Sequence, residues 1–321
     1  MARIGSTELE VFPLCLGGNV FGWTADEGAS CSVLDAYFAA GGNFVDTADV
    51  YSAWVPGNSG GESETILGRW MRARGNRDRM VVATKVGKAP WLPGLSAKTI
   101  HEAIDGSLAR LQTDRVDLYY AHCDDEATPL DETLRAFDAV VRAGKVRYVA
   151  ASNYRAPRLA EALAISRREG LARYVALQPS YNLMDRDDYE GALEQVCARE
   201  GVSCVPYYAL AQGFLTGKYR PGVSVDTRRG EAARKHVGPR GDAVLAALDT
   251  IAEKHRTTVA AVALAWLVSR PPVASAIASA RTLEQLEGLL PVATLQLGAD
   301  DLARLDAASR PLSPESQRWA G

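Results

Sequence analysis

Short apolar runs that end in a polar residue recur along the first two thirds of the chain. Their length and their content of β-branched and aromatic residues are typical of buried strands. Helix-like segments follow these runs, because apolar residues there return every three or four positions. The strand-like runs cover 13–18, 43–46, 80–85, 116–122, 146–153, 174–178 and 202–207, and the helix-like segments cover 31–40, 62–74, 96–111, 129–143, 156–169 and 188–200. This alternation predicts a parallel sheet with right-handed crossovers.

The pattern changes at both ends of the chain. Residues up to Val11 alternate polar and apolar around Gly5, which predicts a short hairpin. Beyond the seventh run, the composition predicts a long loop over 219–239, helices over 242–255 and 257–269, and a last strand over 274–278. The loop either covers a bound cofactor or is a tolerated surface insertion. We predict an α/β fold: a (β/α)8 TIM barrel with a short N-terminal β-hairpin and a long inserted loop plus extra helices before the last strand, with residues 1–321 forming one domain.

The polar residues at the strand ends are the strongest indication of function. In such a barrel all strands point the same way, so the side chains at their C-terminal ends converge on one mouth, where enzymes of this architecture carry out their chemistry. The residues concerned are Asp46, Lys85, His122, Asn153, Gln178 and Tyr207. We therefore expect them to form an active-site rim.

The amino-acid composition indicates what kind of molecule the protein binds. The 321 residues are 47% hydrophobic, and 36 basic residues against 39 acidic ones give a net charge of −3. This balance gives no electrostatic footprint for nucleic acid or an anionic membrane, and it favours a small neutral partner. The longest apolar run, 259–268, is too short to span a bilayer, and the N-terminus lacks a signal peptide's apolar core.

Five cysteines without CxxC spacing argue against disulfides and against a metal site. We therefore expect a cytoplasmic protein, and a homo-oligomer remains open.

Several motifs, taken in order, resemble those of the aldo-keto reductases. They are 46–51 (DTADVY), Lys85, His122, 144–147 (GKVR), 152–153 (SN), 178–182 (QPSYN) and 210–219 (LAQGFLTGKY), and the similarity runs from about Gly5 to Leu290. The resemblance implies a (β/α)8 barrel that reduces an aldehyde or ketone to an alcohol with NADPH. It also implies a catalytic tetrad of Asp46, Tyr51, Lys85 and His122.

The chemistry explains why these residue types belong together. Hydride transfer to a carbonyl places negative charge on oxygen, which requires a proton donor and fixed charges or dipoles. Tyr51 would donate the proton, Lys85 would lower the pKa of Tyr51 from about 10, and Asp46 would hold Lys85. His122 would hydrogen-bond the substrate carbonyl. Each residue alone also has an ordinary interpretation, as a turn, core or solvent-reaching residue, but their combination at strand ends favours a site.

The resemblance also implies a cofactor site. Ser152, Asn153 and Gln178 would hold the nicotinamide carboxamide, Tyr207 would stack on its ring, and Leu210, Gln212 and Lys218 would line the pyrophosphate. Ser279, Arg281 and Gln285 would bind the adenosine phosphate, and a serine and an arginine at a helix start favour NADPH over NADH. Ser279 replaces the usual glycine, and Gly288 and Leu289 replace the usual acid–asparagine pair. We therefore expect weaker adenine contacts.

Aromatic residues in the loops after the first three strands predict a substrate pocket. Phe21, Trp23, Trp54 and Trp91 would surround the mouth and suit an apolar or sugar-like substrate, although mutual packing of the loops is an alternative. The tail, 310–321, either closes over this pocket or stays disordered. Two other functions remain open: a nicotinamide-binding regulatory subunit with little turnover, as in potassium-channel β subunits, and a Schiff-base lyase that uses Lys85.

Overall fold

The barrel consists of eight parallel strands. The computed structural model of the protein describes residues 1–220 and 230–310. After the two hairpin strands β1 (Ala2–Arg3) and β2 (Glu10–Val11), the barrel strands are β3 (Leu14–Gly17), β4 (Phe44–Asp46), β5 (Val81–Val86), β6 (Val116–Ala121), β7 (Val146–Ser152), β8 (Tyr174–Gln178), β9 (Ser203–Cys204) and β10 (Ala276–Ala278). Six of the seven strand-like runs that the sequence pattern indicated contain one of these strands, the run 80–85 overlaps β5 but ends one residue before it, and the last predicted strand is shortened to three residues.

The order of the strands in the sheet is β10-β3-β4-β5-β6-β7-β8-β9. β9 meets the segment that leads into β10, because the Cys204 N–H donates to the Pro272 carbonyl at 2.9 Å and the Ala274 N–H donates to the Cys204 carbonyl at 2.9 Å. A parallel bridge between Cys204 and Val273 accompanies these bonds. The sheet therefore closes on itself, and the predicted (β/α)8 barrel is confirmed.

The N-terminal hairpin is also confirmed. β1 and β2 pair antiparallel with Ala2 opposite Val11, and the Thr7 hydroxyl donates to the Ile4 carbonyl at 2.6 Å to close the turn. Ile4, Leu9 and Val11 are buried in a core cluster with residues of the barrel strands, among them Phe44. Burial of this apolar face gives the short hairpin its stability.

Helices follow the barrel strands. They are α1 (Glu27–Ala39), α2 (Glu62–Arg74), α3 (Ala97–Leu111), α4 (Leu130–Arg142), α5 (Ala156–Glu169), α6 (Ala192–Glu200), α7 (Gly230–Arg234), α8 (Pro239–His255), α9 (Val259–Val268), α10 (Leu283–Leu289) and α11 (Ala299–Ser309). α1 begins a turn earlier than predicted because Asp26 caps it, accepting from the Ala29 N–H at 2.8 Å. α6 begins later than predicted, and the sequence pattern did not indicate α11.

The insertion before β10 is only partly a loop. Within the predicted loop 219–239, residues 230–234 form α7 and α8 begins at Pro239, while residues 221–229 lie outside the described residues. Most of the predicted tail, residues 311–321, also lies outside them. In the part of the chain that the structure describes, no helix combines the length and the apolar character needed to cross a membrane.

Candidate active site

The C-terminal ends of the barrel strands bring the predicted polar residues to one mouth. Asp46 ends β4, Lys85 precedes the last residue of β5, and Gln178 ends β8. His122 and Asn153 directly follow β6 and β7. The parallel register places Gly17 opposite Asp46 and Ser152 opposite Gln178, so the strand ends within each pair lie at one level. The predicted convergence is thus present in the fold.

Lys85 is the centre of the site. Its side chain is fully buried, and its ammonium donates to Asp46 Oδ2 at 2.6 Å, to the Thr47 carbonyl at 2.8 Å and to the Tyr51 hydroxyl at 2.8 Å. The Tyr51 hydroxyl also lies 3.3 Å from Asp46 Oδ2, to which it donates. An ammonium has three hydrogens, and all three are used here. Such full pairing makes a buried charge pair tolerable and fixes the Tyr51 hydroxyl in place.

Gln178 contacts the second carboxylate oxygen of Asp46. Its side-chain Nε2 donates to Asp46 Oδ1 at 2.9 Å, and both residues are buried. The carboxylate is therefore held on both sides, by Lys85 and by Gln178, and it cannot turn without losing a bond. The sequence indicated only a cofactor contact for Gln178. Its position at the end of β8 was the signal that could have suggested a contact across the mouth.

Tyr51 and His122 are the two candidates for acid–base chemistry, and burial shifts the pKa of each. Burial, and after it the negative charge of Asp46, raises the pKa of Tyr51 well above its usual value. The effect of Lys85, whose ammonium donates to the Tyr51 hydroxyl at 2.8 Å, stays a prediction: it would favour the phenolate against burial and the Asp46 charge. Tyr51 is protonated at neutral pH, which is the form that can donate.

His122 lies beside Tyr51, with the two ring centroids 6.1 Å apart. Burial, and after it the positive charges of Lys85 and Lys88, lowers the pKa of His122 well below its usual value. The imidazole is consequently neutral at pH 7 and has one N–H to donate. Its Nδ1 is buried and has no hydrogen-bond partner among the described residues. This arrangement suits a donor to a carbonyl oxygen.

The predicted nicotinamide residues form one hydrogen-bonded group next to the tetrad. The Ser152 hydroxyl donates to the Gln178 carbonyl at 2.9 Å, and Asn153 Nδ2 donates to the Ser152 hydroxyl at 3.0 Å and to the His122 carbonyl at 2.8 Å. The Tyr207 hydroxyl donates to Asn153 Oδ1 at 2.8 Å. Asn153 has a φ of 60°, a left-handed conformation that is uncommon outside glycine and is enriched in asparagine.

The segment after Tyr207 has unusual backbone geometry. Tyr208, Ala211 and Gln212 have φ values of 53°, 47° and 57°, in and around a 3-10 helix that spans Ala211–Thr216. Non-glycine residues in this region store strain and concentrate at ligand sites. Leu210 is buried, so its backbone rather than its side chain is available to a ligand. The Lys218 ammonium is exposed and lies 5.3 Å from the centroid of the Tyr219 ring.

The predicted adenosine-phosphate residues flank the start of α10. The Ser279 hydroxyl donates to Asn19 Oδ1 at 2.6 Å, a contact that the sequence did not indicate. Gln285 Oε1 accepts from the Arg281 N–H at 3.0 Å. The Arg281 guanidinium itself has no ion pair or hydrogen bond with the described residues, which leaves it available to an anion. Leu289 is buried and presents no polar group to an adenine.

The loop aromatics divide into exposed and buried residues. Trp23 and Trp54 meet edge to face with centroids 5.5 Å apart, and Trp54 lies 6.2 Å from the Tyr51 ring. Trp54 and Trp91 are 49% and 52% exposed, so about half of each side chain is accessible, while the Trp91 ring lies against Gly60. Phe21 is fully buried, and this burial corrects its placement in the substrate pocket: it belongs to the hydrophobic core beneath the loops.

A buried polar cluster around Glu64, in contact with β5, was not predicted from the sequence. Glu64 is fully buried and accepts from the Thr84 hydroxyl at 2.5 Å and from Arg110 Nε at 2.6 Å. Burial, followed by the negative charge of Glu64, raises the pKa of Asp49 to about 7. Asp49 Oδ1 has no hydrogen-bond partner among the described residues. The second aspartate of the 46–51 motif was the sequence feature that could have indicated this cluster.

Within 1–220 and 230–310, no three His, Cys, Asp or Glu residues are grouped to hold a metal ion.

Known proteins resemble the chain over most of its length. The sequence model of the Aldo/keto reductase family matches residues 13–310. The chain is 33% identical to Protein tas of Escherichia coli, over 95% of this chain and 96% of that protein. It is 33% identical to the probable voltage-gated potassium channel subunit beta of Oryza sativa, over 98% and 99% of the two chains. It is also 31% identical to an aryl-alcohol dehydrogenase of Pestalotiopsis microspora, over 94% and 79%.

Proposed function

The chain belongs to the aldo/keto reductase family of oxidoreductases, and on this premise we propose that it reduces an aldehyde or ketone to an alcohol with NADPH. One observation carries the proposal: the buried Lys85 ammonium bonds both the Asp46 carboxylate and the Tyr51 hydroxyl. A protonated phenol in contact with a fixed buried cation can release its proton to a developing alkoxide at that point.

The residues of this site would have separate roles in protonating the carbonyl oxygen of the substrate. A bound nicotinamide would supply the hydride, and Tyr51 would give its proton to the carbonyl oxygen. Lys85 would stabilise the phenolate that remains, because an ammonium 2.8 Å from that oxygen favours its ionised form. Asp46, held by Lys85 and Gln178, would keep the ammonium in position. His122, neutral at pH 7, would donate a hydrogen bond to the same carbonyl oxygen and orient it towards Tyr51.

The donor set at the mouth fits a nicotinamide cofactor. Ser152, Asn153 and Gln178 offer hydroxyl and amide groups that match a carboxamide, and the Tyr207 ring beside them is partly exposed and offers a flat face. The left-handed backbone around Gln212 and the exposed Lys218 would hold the pyrophosphate. Arg281, whose guanidinium has no described partner, would bind a ribose 2′-phosphate, and this supports NADPH over NADH.

Two other functions compete with this proposal. The similarity to the rice channel subunit favours a cofactor-binding regulatory protein with little turnover. The complete tetrad supports turnover instead. A Schiff-base role for Lys85 is disfavoured by its geometry, because an imine needs a neutral amine with a free lone pair, whereas this ammonium is buried and donates three hydrogen bonds.

A substrate screen tests the proposal. Purified protein is mixed with NADPH and with aldehydes, ketones and keto-sugars, and carbonyl-dependent loss of NADPH absorbance is recorded. We expect turnover with at least one carbonyl compound and no borohydride-stable adduct on Lys85. Tight NADPH binding without any turnover would favour the regulatory function, and a trapped adduct mapped to Lys85 by mass spectrometry would favour imine chemistry.

A further inference from the structure

An unpaired lysine stands beside the catalytic histidine. Lys88 lies two residues beyond Val86, whose carbonyl accepts from the His122 N–H at 2.9 Å. Its side chain is exposed and has no hydrogen bond or ion pair with any described residue. None of the roles assigned to the tetrad or to the cofactor residues uses this charge.

The backbone that carries Lys88 is fixed although its side chain is free. Gly87 and Ala89, on either side, are buried. The loop that follows is closed at its base, because the Gly94 N–H donates to the Gly87 carbonyl at 3.1 Å. Asp125 holds the far end by accepting from the Leu95 N–H at 2.7 Å. The ammonium is therefore presented from an anchored position rather than from a loose loop.

The surroundings of Lys88 leave its charge uncompensated. The two carboxylates that directly follow Cys123 already have partners: Asp124 pairs with Arg158 at 3.0 Å, and Asp125 accepts hydrogen bonds from its own turn and from Leu95. The positive charge of Lys88 lowers the pKa of His122, which places the two groups within electrostatic reach of each other. Partial burial and the charge of Lys85 also lower the pKa of Lys88 itself. The Lys88 ammonium thus adds a positive charge close enough to act on His122.

We propose that Lys88 recognises an anionic group, a carboxylate or a phosphate, on the carbonyl substrate of this site. This inference rests on the proposed reductase function and names its substrate class. The carbonyl would lie between Tyr51 and His122, and the anion would extend along the loop after β5 to the free ammonium. Because the contact is present before and during reduction, it should act mainly on KM rather than on kcat.

The test compares matched pairs of substrates. The acid 4-carboxybenzaldehyde is measured against its methyl ester, and succinic semialdehyde against its methyl ester, by NADPH oxidation. In at least one pair, wild-type protein should prefer the acid. Lys88→Met should lower the acid-to-ester ratio of kcat/KM by about 3- to 10-fold, the range for a partly exposed charged hydrogen bond. Raising the ionic strength from about 0.02 M to about 0.3 M should lower the same ratio in wild-type protein.

Two control variants separate recognition from folding. Lys88→Arg keeps the charge and should keep most of the preference. Lys98→Met removes an exposed lysine on α3 whose nearest carboxylate is 3.8 Å away, and it should leave the ratio as in wild type. Equal kcat/KM for acid and ester in both pairs, or an unchanged ratio in Lys88→Met, would overturn the inference while reduction of the esters still upheld the reductase function. If the wild-type protein reduced no carbonyl compound at all, both proposals would fall.

Discussion

Replacing Lys85 by methionine should destabilise the protein far more than the same replacement of Lys145, a partly exposed lysine that also pairs with a carboxylate. Methionine keeps the length of the side chain but leaves Asp46 buried without its cation. The Lys85 and Asp46 side chains are 0% and 3% exposed, and breaking such a buried pair typically costs about 3–5 kcal/mol. Lys145 and Asp105 are closer still, at 2.5 Å, but their side chains are 35% and 59% exposed, so Lys145→Met should cost about 0–1 kcal/mol.

A double variant separates the effect of Lys85 on stability from its effect on carbonyl reduction. In Lys85→Met/Asp46→Asn the buried charge is gone, and the asparagine oxygen can still accept from Gln178. We expect this variant to recover most of the lost free energy of unfolding, because a buried neutral amide costs much less to desolvate than an unpaired buried carboxylate. Carbonyl reduction should fall by about 10²-fold or more in both variants, since neither has a cation beside Tyr51.

Urea unfolding, followed by tryptophan fluorescence, gives the stabilities, and NADPH titration checks the fold of the mouth. The reasoning would be refuted if Lys85→Met cost no more than Lys145→Met. It would also be refuted if the double variant were as unstable as the single one. Recovery of stability together with recovery of turnover would remove Lys85 from the chemistry and leave it a structural residue.

Three further predictions follow from the same geometry. Arg281→Ala should weaken NADPH binding by about 1.5–3 kcal/mol and leave NADH almost unchanged, and equal losses in titrations of both cofactors would contradict a phosphate contact. Asp49 has a folded-state pKa raised to about 7, so it adds stability at low pH that is lost as the pH rises from about 4 through about 7. Asp49→Asn should therefore gain about 3 kcal/mol relative to wild type between pH 5 and pH 8, and a pH-independent difference in urea unfolding would contradict this. Gln178→Leu leaves Asp46 Oδ1 without its donor and should lower the free energy of unfolding by about 1–3 kcal/mol, which an unchanged urea midpoint would disprove.

The barrel and the meeting of its strand ends were predictable from the sequence because both depend on local pattern. Alternating strands and helices fix the direction of every strand, so Asp46, Lys85 and His122 had to emerge at one mouth. Helix starts were less accurate, although the Asp26 cap that begins α1 was present in the sequence. The segment before β10 was harder, because helix α7 is only five residues long and shows little periodicity.

The contacts within the site were not predictable because they depend on how distant segments close together. Gln178 and Asp46 are 132 positions apart, and only the completed barrel brings them within 2.9 Å. The raised pKa of Tyr51 depends on burial and on the closeness of the Asp46 carboxylate, neither of which a linear pattern contains. Phe21 was assigned to the pocket from its loop position, but the path of that loop buries it.

The measurement that tests the central claim most directly is the turnover of Tyr51→Phe under saturating NADPH and a carbonyl substrate that wild-type protein reduces. Phenylalanine keeps the ring and removes only the hydroxyl that Lys85 contacts at 2.8 Å. We predict that kcat falls by about 10²-fold or more while the affinity for NADPH is retained. Turnover close to that of wild type, with NADPH still bound, would contradict the assignment of Tyr51 as the proton donor.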